Sequence, residues 1–226
     1  MAMANGGERV AWLLLVILVV LPVRAARSLE PTVCPALEQV VQVEVHFDPA
    51  RPFIDDSHSR AWIQEQARVL NHPIGLTSSR LAHTVKGQFE VRSTTDRGVR
   101  CIYLRVVTLT LGYPNTKVYI DNAYRPGSCE YQAIYRHELE HVRILNGYQE
   151  RFLPLWHSRL RAFVYPYEIR PVASANPPQA QQSILTALEQ AVGKEIQQLD
   201  KSQRAAQAAI DTVQNYAKVR ASCQHW

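Results

Sequence analysis

Hydrophobic and polar positions alternate along residues 38–47, with Val41, Val43, Val45 and Phe47 on one side and Gln42, Glu44 and His46 on the other. A period of two predicts a half-buried strand. Asp56-Ser57 then opens a helix that should run to residue 70 and stop at Asn71-His72-Pro73, because proline cannot continue it. Further strands are expected at 81–93, 100–111 and 116–121, where β-branched and aromatic residues concentrate. Gly112-Tyr113-Pro114-Asn115 reads as a turn, so the last two strands should form a hairpin.

Beyond Pro126-Gly127-Ser128 the period changes from two to 3.6, and Ser128 is placed to cap a helix. At about 100° per residue, Ile134, His137, Glu138, His141, Leu145 and Tyr148 share one sector, and Tyr131, Tyr135, Leu139 and Val142 a second. Gln132, Arg136, Glu140 and Arg143 form a narrow solvated stripe between them. A helix with two non-polar sectors is covered on two sides.

The proline-rich stretch 166–180 reads as a linker. After it, Leu185, Leu188, Val192, Ile196, Leu199, Ala206, Ile210, Val213 and Ala217 recur at steps of three and four, with a polar gap at Gln203. This predicts a long amphipathic helical segment within 181–226, interrupted at Gly193 and folded back on the core rather than paired in a coiled coil. Together the elements make an α+β chain: a small antiparallel sheet packed on one helix, followed by a long C-terminal amphipathic helix.

The N-terminus has a different character. Arg9 precedes an apolar run at 10–20, and Val23-Arg24-Ala25 offers small residues for cleavage, so residues 1–25 read as a signal peptide. The run is too short for a comfortable membrane span, and no stable insertion is expected after cleavage. Removing 1–25 takes away Arg9, Arg24 and Glu8, leaving 201 residues with 23 basic and 19 acidic side chains. That is enough for one core with an appendage. The small surplus is spread out and not interleaved with aromatics, which sets aside nucleic-acid binding. Nothing in the pattern specifies an oligomeric state. Cys34, Cys101, Cys129 and Cys223 make an even set suited to two disulfides in an oxidising compartment. The favoured pairing is Cys101 with Cys129 and Cys34 with Cys223, the second tying the ends of the chain together.

The chemistry lies in His137-Glu138-Leu139-Glu140-His141. Histidines four apart on a helix point the same way and can grip one metal ion, with the intervening glutamate beside a water molecule on that ion. This HExxH pattern is the signature of the zincin metalloproteases. It makes His137 and His141 metal ligands, Zn²⁺ the expected ion and Glu138 the general base. A zincin-like domain over 26–165 is expected, with the strand at 116–121 as an edge able to bind an extended peptide by strand addition. The metzincin continuation, with a third histidine, is absent. Asn146-Gly147 signals a chain reversal that would let Glu150 swing back as third ligand, at a spacing similar to that of the aspzincin aspartate. His157 and Glu168 are the alternatives, and the competing role for Glu150 is a solvent-facing ion pair. Tyr148 shares the ligand face and is a candidate oxyanion donor, against the plainer role of a core tyrosine; Tyr124 and Tyr131 rank lower.

Gly127-Ser128-Cys129-Glu130-Tyr131 and the residues onward to 144, with Gly75-Leu76-Thr77 upstream, resemble a family of exported bacterial proteins of unknown function grouped with zinc-dependent proteases. The resemblance covers residues 34–165 and, more loosely, the stretch from Asp211-Thr212 to Cys223. It implies a periplasmic or secreted zincin-like domain. The expected activity is hydrolysis of a peptide or protein substrate in the cell envelope. Two alternatives stay open: a non-catalytic envelope protein that holds a partner through its C-terminal helix, and a peptidoglycan or small-molecule hydrolase with the same metal chemistry.

Overall fold

A computed structural model describes residues 34–36, 40–67, 73–94 and 98–226. The signal-peptide reading of 1–25 therefore lies outside the described residues. The order is β1 (Gln42–Asp48), β2 (Phe53–Asp55), α1 (Arg60–Ala67), β3 (Gly75–Ser78), β4 (Ala82–Ser93), β5 (Arg100–Gly112), β6 (Lys117–Ile120), α2 (Cys129–Ile169), β7 (Val172–Ser174), α3 (Pro177–Ala208) and α4 (Val213–Ala221). The chain is α+β, as its two periodicities require.

The sheet is where expectation and structure part. Instead of one antiparallel sheet the described residues form two mixed ones. In the first, β5 is central: β4 pairs along one side antiparallel, and β1, parallel, shares the other side with β7, antiparallel. In the second, β6 lies between β2, parallel, and β3, antiparallel. Gly112-Tyr113-Pro114-Asn115 thus joins two sheets and makes no hairpin, and residues 116–121 contribute an interior strand rather than an edge. Alternation in sequence reports which face of a strand is buried, but not its partner or direction. The free edges of the second sheet belong to β2 and β3.

Helix α2 is the spine on which both sheets pack. Ser128 caps it, its side chain accepting the Tyr131 N–H at 3.1 Å. The N-terminal half packs Tyr131, Ile134, Val142 and Leu145 with Val118 and Ile120 of β6. The C-terminal half packs Trp156, Leu160 and Val164 with Val107, Leu109 and Leu111 of β5. The turn expected at Asn146-Gly147 does not form, and α2 runs through Pro154 and Pro166 for 41 residues. A proline inside a helix costs about 3 kcal/mol. Burying Trp156, Leu160 and Val164 offsets that, at about 1.5–3 kcal/mol each.

The stretch read as a linker instead carries the end of α2, strand β7 and the start of α3. Helix α3 continues through Gly193 for 32 residues and buries Ile184, Leu188 and Val192 in the core of the first sheet. Its apolar stripe is occupied within the chain. The disulfides are Cys34–Cys101 and Cys129–Cys223, correcting the expected pairing. The second ties the start of α2 to the segment after α4, because α3 carries the chain back along α2. Two disulfides fit an oxidising compartment. No helix among the described residues is long and apolar enough to cross a membrane.

Candidate metal centre

Helical spacing sets His137 and His141 on one face of α2, one turn apart, with ring centroids 5.1 Å from each other. Both Nε2 atoms face a single oxygen. Asp211 Oδ1 lies 3.3 Å from His137 Nε2 and 3.1 Å from His141 Nε2. These three residues are the one His/Cys/Asp/Glu group among the described residues with the spacing to hold a metal ion. Asp211 sits where the apolar stripe of α3 ends and the chain turns into α4, whose N-cap is Thr212.

The separations suit hydrogen bonds to the carboxylate and also allow the three residues to share one cation. Bonds of about 2.0–2.1 Å to a tetrahedral zinc ion place neighbouring ligand atoms about 3.3 Å apart, whereas a charge-assisted N–H···O bond closes to about 2.7–2.9 Å. The proton arrangement agrees. Gln207 Nε2 donates to the His141 carbonyl at 3.1 Å, which fixes its amide and turns Oε1 toward His141 Nδ1 at 2.5 Å. A hydrogen on Nδ1 meets Gln207 Oε1, and Nε2 is then turned to the carboxylate, where it carries either a second proton or a lone pair. Two lone pairs converge only around a positive charge, either a proton or a metal ion. Tyr216 Oη donates to Asp211 Oδ1 at 2.9 Å and steadies the carboxylate.

Without a metal the group behaves as an ion pair. Burial acts to lower the His141 pKa, but Asp211's hydrogen bond and the Glu138 charge outweigh it, and the imidazole stands above its ordinary value. Burial acts to raise Asp211, but hydrogen bonds from His137 and His141 dominate and hold its carboxyl far below the usual carboxylate range. Tyr216 is raised, by burial and then by the Asp211 charge.

Glu138 is 1% exposed and beside this group. Thr77 Oγ1, on β3, lies 2.8 Å from Glu138 Oε2 and 3.0 Å from its carbonyl oxygen. Burial pushes the carboxyl upward, against the pull of His141, His137 and the Thr77 hydroxyl. β3 comes this close because residue 75 is glycine: a Cβ there would stand 2.5 Å from Glu138 Oε1 and 2.7 Å from Ile134 Cγ2. A cavity opens beside Glu138, His141 and Asp211, bounded by β3, α2 and α3.

The remaining candidates lie elsewhere. With α2 unbroken, Glu150 falls about 180° around the helix from His141 and is exposed, so it does not meet the histidines. His157 is exposed as well, and Glu168 pairs with Arg161 at 2.8 Å and accepts the Val41 N–H at 2.8 Å. Tyr148 donates to Ser202 Oγ and does not line the cavity; Tyr216 and Tyr113 line it, and Tyr216 is the one bonded to Asp211. Tyr124 meets Arg60, and Tyr131 meets Asp56.

Sequence reasoning missed Asp211, Gln207 and Tyr216. The available signal was the polar gap at Gln203, one turn before Gln207 on the helix that returns to α2 and eight residues before Asp211 in the turn that follows it. Comparisons of the chain with family models, with curated proteins and with solved structures return no match.

Proposed function

We propose that this chain is an exported zinc-dependent metallopeptidase of zincin-like architecture, with His137, His141 and Asp211 as ligands and Glu138 as general base. The observation that carries the reading is the convergence of two Nε2 atoms and one carboxylate oxygen at 3.1–3.3 Å, next to a buried glutamate and an open cavity. Two imidazoles and a carboxylate are a donor set for catalytic zinc, which keeps a fourth position open. The resemblance of the motif residues to an exported family of unknown function grouped with zinc-dependent proteases points the same way.

A zinc ion held there supplies Lewis acidity, polarising the scissile carbonyl and acidifying water. The residues do the rest. Burial raises the proton affinity of Glu138, which suits a carboxylate that takes a proton from the attacking water and delivers it to the leaving amine. Thr77 holds the carboxylate's orientation, Gln207 holds the His141 tautomer, and Tyr216 holds Asp211. The buried stripe of α3 disfavours the alternative in which that helix holds a partner.

The test compares wild type with Glu138→Gln for zinc content and for hydrolysis of a mixed peptide library. The reading expects about one zinc per chain in both, and cleavage by wild type alone. Equal cleavage by the two proteins, or no zinc in either, overturns it.

A further inference from the structure

The two disulfides differ in how far a reagent can reach them. Cys101, in the first, is 2% exposed, whereas Cys129 is exposed and its partner Cys223 half-buried. Enclosed disulfides resist exchange, and accessible ones are the labile and regulatory kind.

The accessible bridge is also the main hold on α4. Tyr216 is the buried residue of that nine-residue helix, and Val213 is 67% exposed. An open groove of about 360 Å³ runs between α2 and α4, with Arg136 and His137 on one wall and Asn215 and Lys218 on the other. Past the bridge, Trp226 meets Tyr124 edge-on and stays 41% exposed. Little apolar surface is buried between the two helices, so packing contributes little there and the covalent link fixes their spacing.

Two hydrogen bonds join α4 and the turn carrying Asp211 into one piece. Asn215 Nδ2 donates to the Ile210 carbonyl at 3.0 Å, and Tyr216 Oη donates to Asp211 Oδ1 at 2.9 Å. A displacement of α4 is therefore passed to the carboxylate that faces His137 and His141. The Asp211 N–H donates to the Ala208 carbonyl at 3.2 Å and keeps the residue near the end of α3. Release of α4 thus loosens the carboxylate without carrying it away.

We propose that Cys129–Cys223 is a redox site that sets the metal affinity of the His137, His141 and Asp211 group, high with the bridge closed and lowered when a dithiol reductant opens it. The proposal rests on the metal-binding reading and adds a control to it. In the exchange, one thiolate of the dithiol attacks Cys223 Sγ, the S–S bond breaks, and Cys129 leaves as a thiolate at the N-terminus of α2, which favours negative charge. The second thiol then displaces Cys223 from the mixed disulfide. Two electrons pass to the bridge, the dithiol closes into its own disulfide, and its two protons end on Cys129 and Cys223.

The test opens the bridge of the full mature protein with graded dithiothreitol. Thiols are alkylated and located by mass spectrometry, and amide exchange is followed by NMR. The alkylated protein is desalted before zinc titration, so that neither the reagent nor a free thiol binds the metal. Cys129 and Cys223 should be alkylated while Cys34–Cys101 stays closed, exchange should quicken over 210–221, and zinc affinity should fall about ten- to hundredfold, as for the loss of an outer-shell support. An aliquot reoxidised instead of alkylated should recover its affinity. Cys129→Ser with Cys223→Ser should show the lowered affinity at every dithiothreitol concentration. Opening of both bridges together, or unchanged zinc affinity with this one open, overturns the proposal. If the oxidised protein takes up no zinc, the metallopeptidase reading fails and amide exchange decides the redox site: quickening confined to 210–221 keeps a segment under redox control, and exchange unaltered by reduction overturns it.

Discussion

Asp211 Oδ1 lies 3.1 Å from His141 Nε2 although 70 residues separate them in the chain. That one approach turns a pair of histidines on a helix into a group of three residues that could hold a metal ion. It exists because α3 returns along α2 and ends where the histidines are, and because the Cys129–Cys223 bridge fastens the far end of α4 to the start of α2.

Asp211→Ala should lower zinc affinity by more than the ten- to hundredfold typical of an outer-shell change, whereas Glu150→Ala should leave it unchanged. Zinc competition with a chromophoric chelator measures both. A loss with Glu150→Ala and none with Asp211→Ala would reverse the ligand assignment.

Gly75→Ala should displace the Glu138 carboxylate, because the new methyl meets Oε1 at 2.5 Å and Ile134 at 2.7 Å. Overpacking of this kind costs about 1–3 kcal/mol. Chemical denaturation should show that loss, with peptide hydrolysis falling more steeply than zinc content. An unchanged midpoint and rate would mean that β3 has room to retreat.

Cys129→Ser with Cys223→Ser should destabilise the protein by about 2–5 kcal/mol and weaken zinc binding as well. The bridge spans 94 residues and borders the segment carrying Asp211 and Tyr216. Denaturation and zinc titration of the double variant check both halves; stability lost with zinc affinity intact would show that α4 is held by packing alone.

The metal-free protein should lose stability as pH rises from about 5 to 8. His141 has a raised folded value, so its stabilisation is complete below the ordinary imidazole value of about 6.5 and fades as pH climbs through the folded one. Glu138, also raised, adds a cost once pH exceeds its ordinary value of about 4.3. Asp211, depressed, contributes above about 3.9 and loses its contribution only as pH falls through its lowered value. Zinc competes with the protons on the imidazoles, so its affinity should increase over the same range and flatten the decline. Thermal unfolding of metal-free and zinc-loaded protein between pH 4 and 9 measures this. A metal-free Tm that is level or rising from 5 to 8 would contradict it.

Much of the local structure was legible. The alternation of Val41, Val43, Val45 and Phe47 matches β1, Ser128 caps α2, and residues of both non-polar sectors of α2, Ile134 and Leu145 from one and Tyr131 and Val142 from the other, are buried in the core beside the second sheet. Strand partners were not legible, since β5 and β6 are neighbours in sequence yet belong to different sheets. Asn146-Gly147 misled because a turn signal costs a helix little beside what burial of Trp156 and Leu160 gains.

By itself the sequence determined which residues repeat at helical or strand period, and that His137, Glu138 and His141 share a helix face. Those are properties of neighbours a few residues apart, governed by backbone geometry. Only the tertiary structure decided that Asp211 rather than Glu150 meets the histidines, that Cys129 joins Cys223, and that Tyr113 and Gln203 share a cavity with Glu138. Such meetings depend on how the whole core packs, and no local period encodes a contact between residues 70 positions apart.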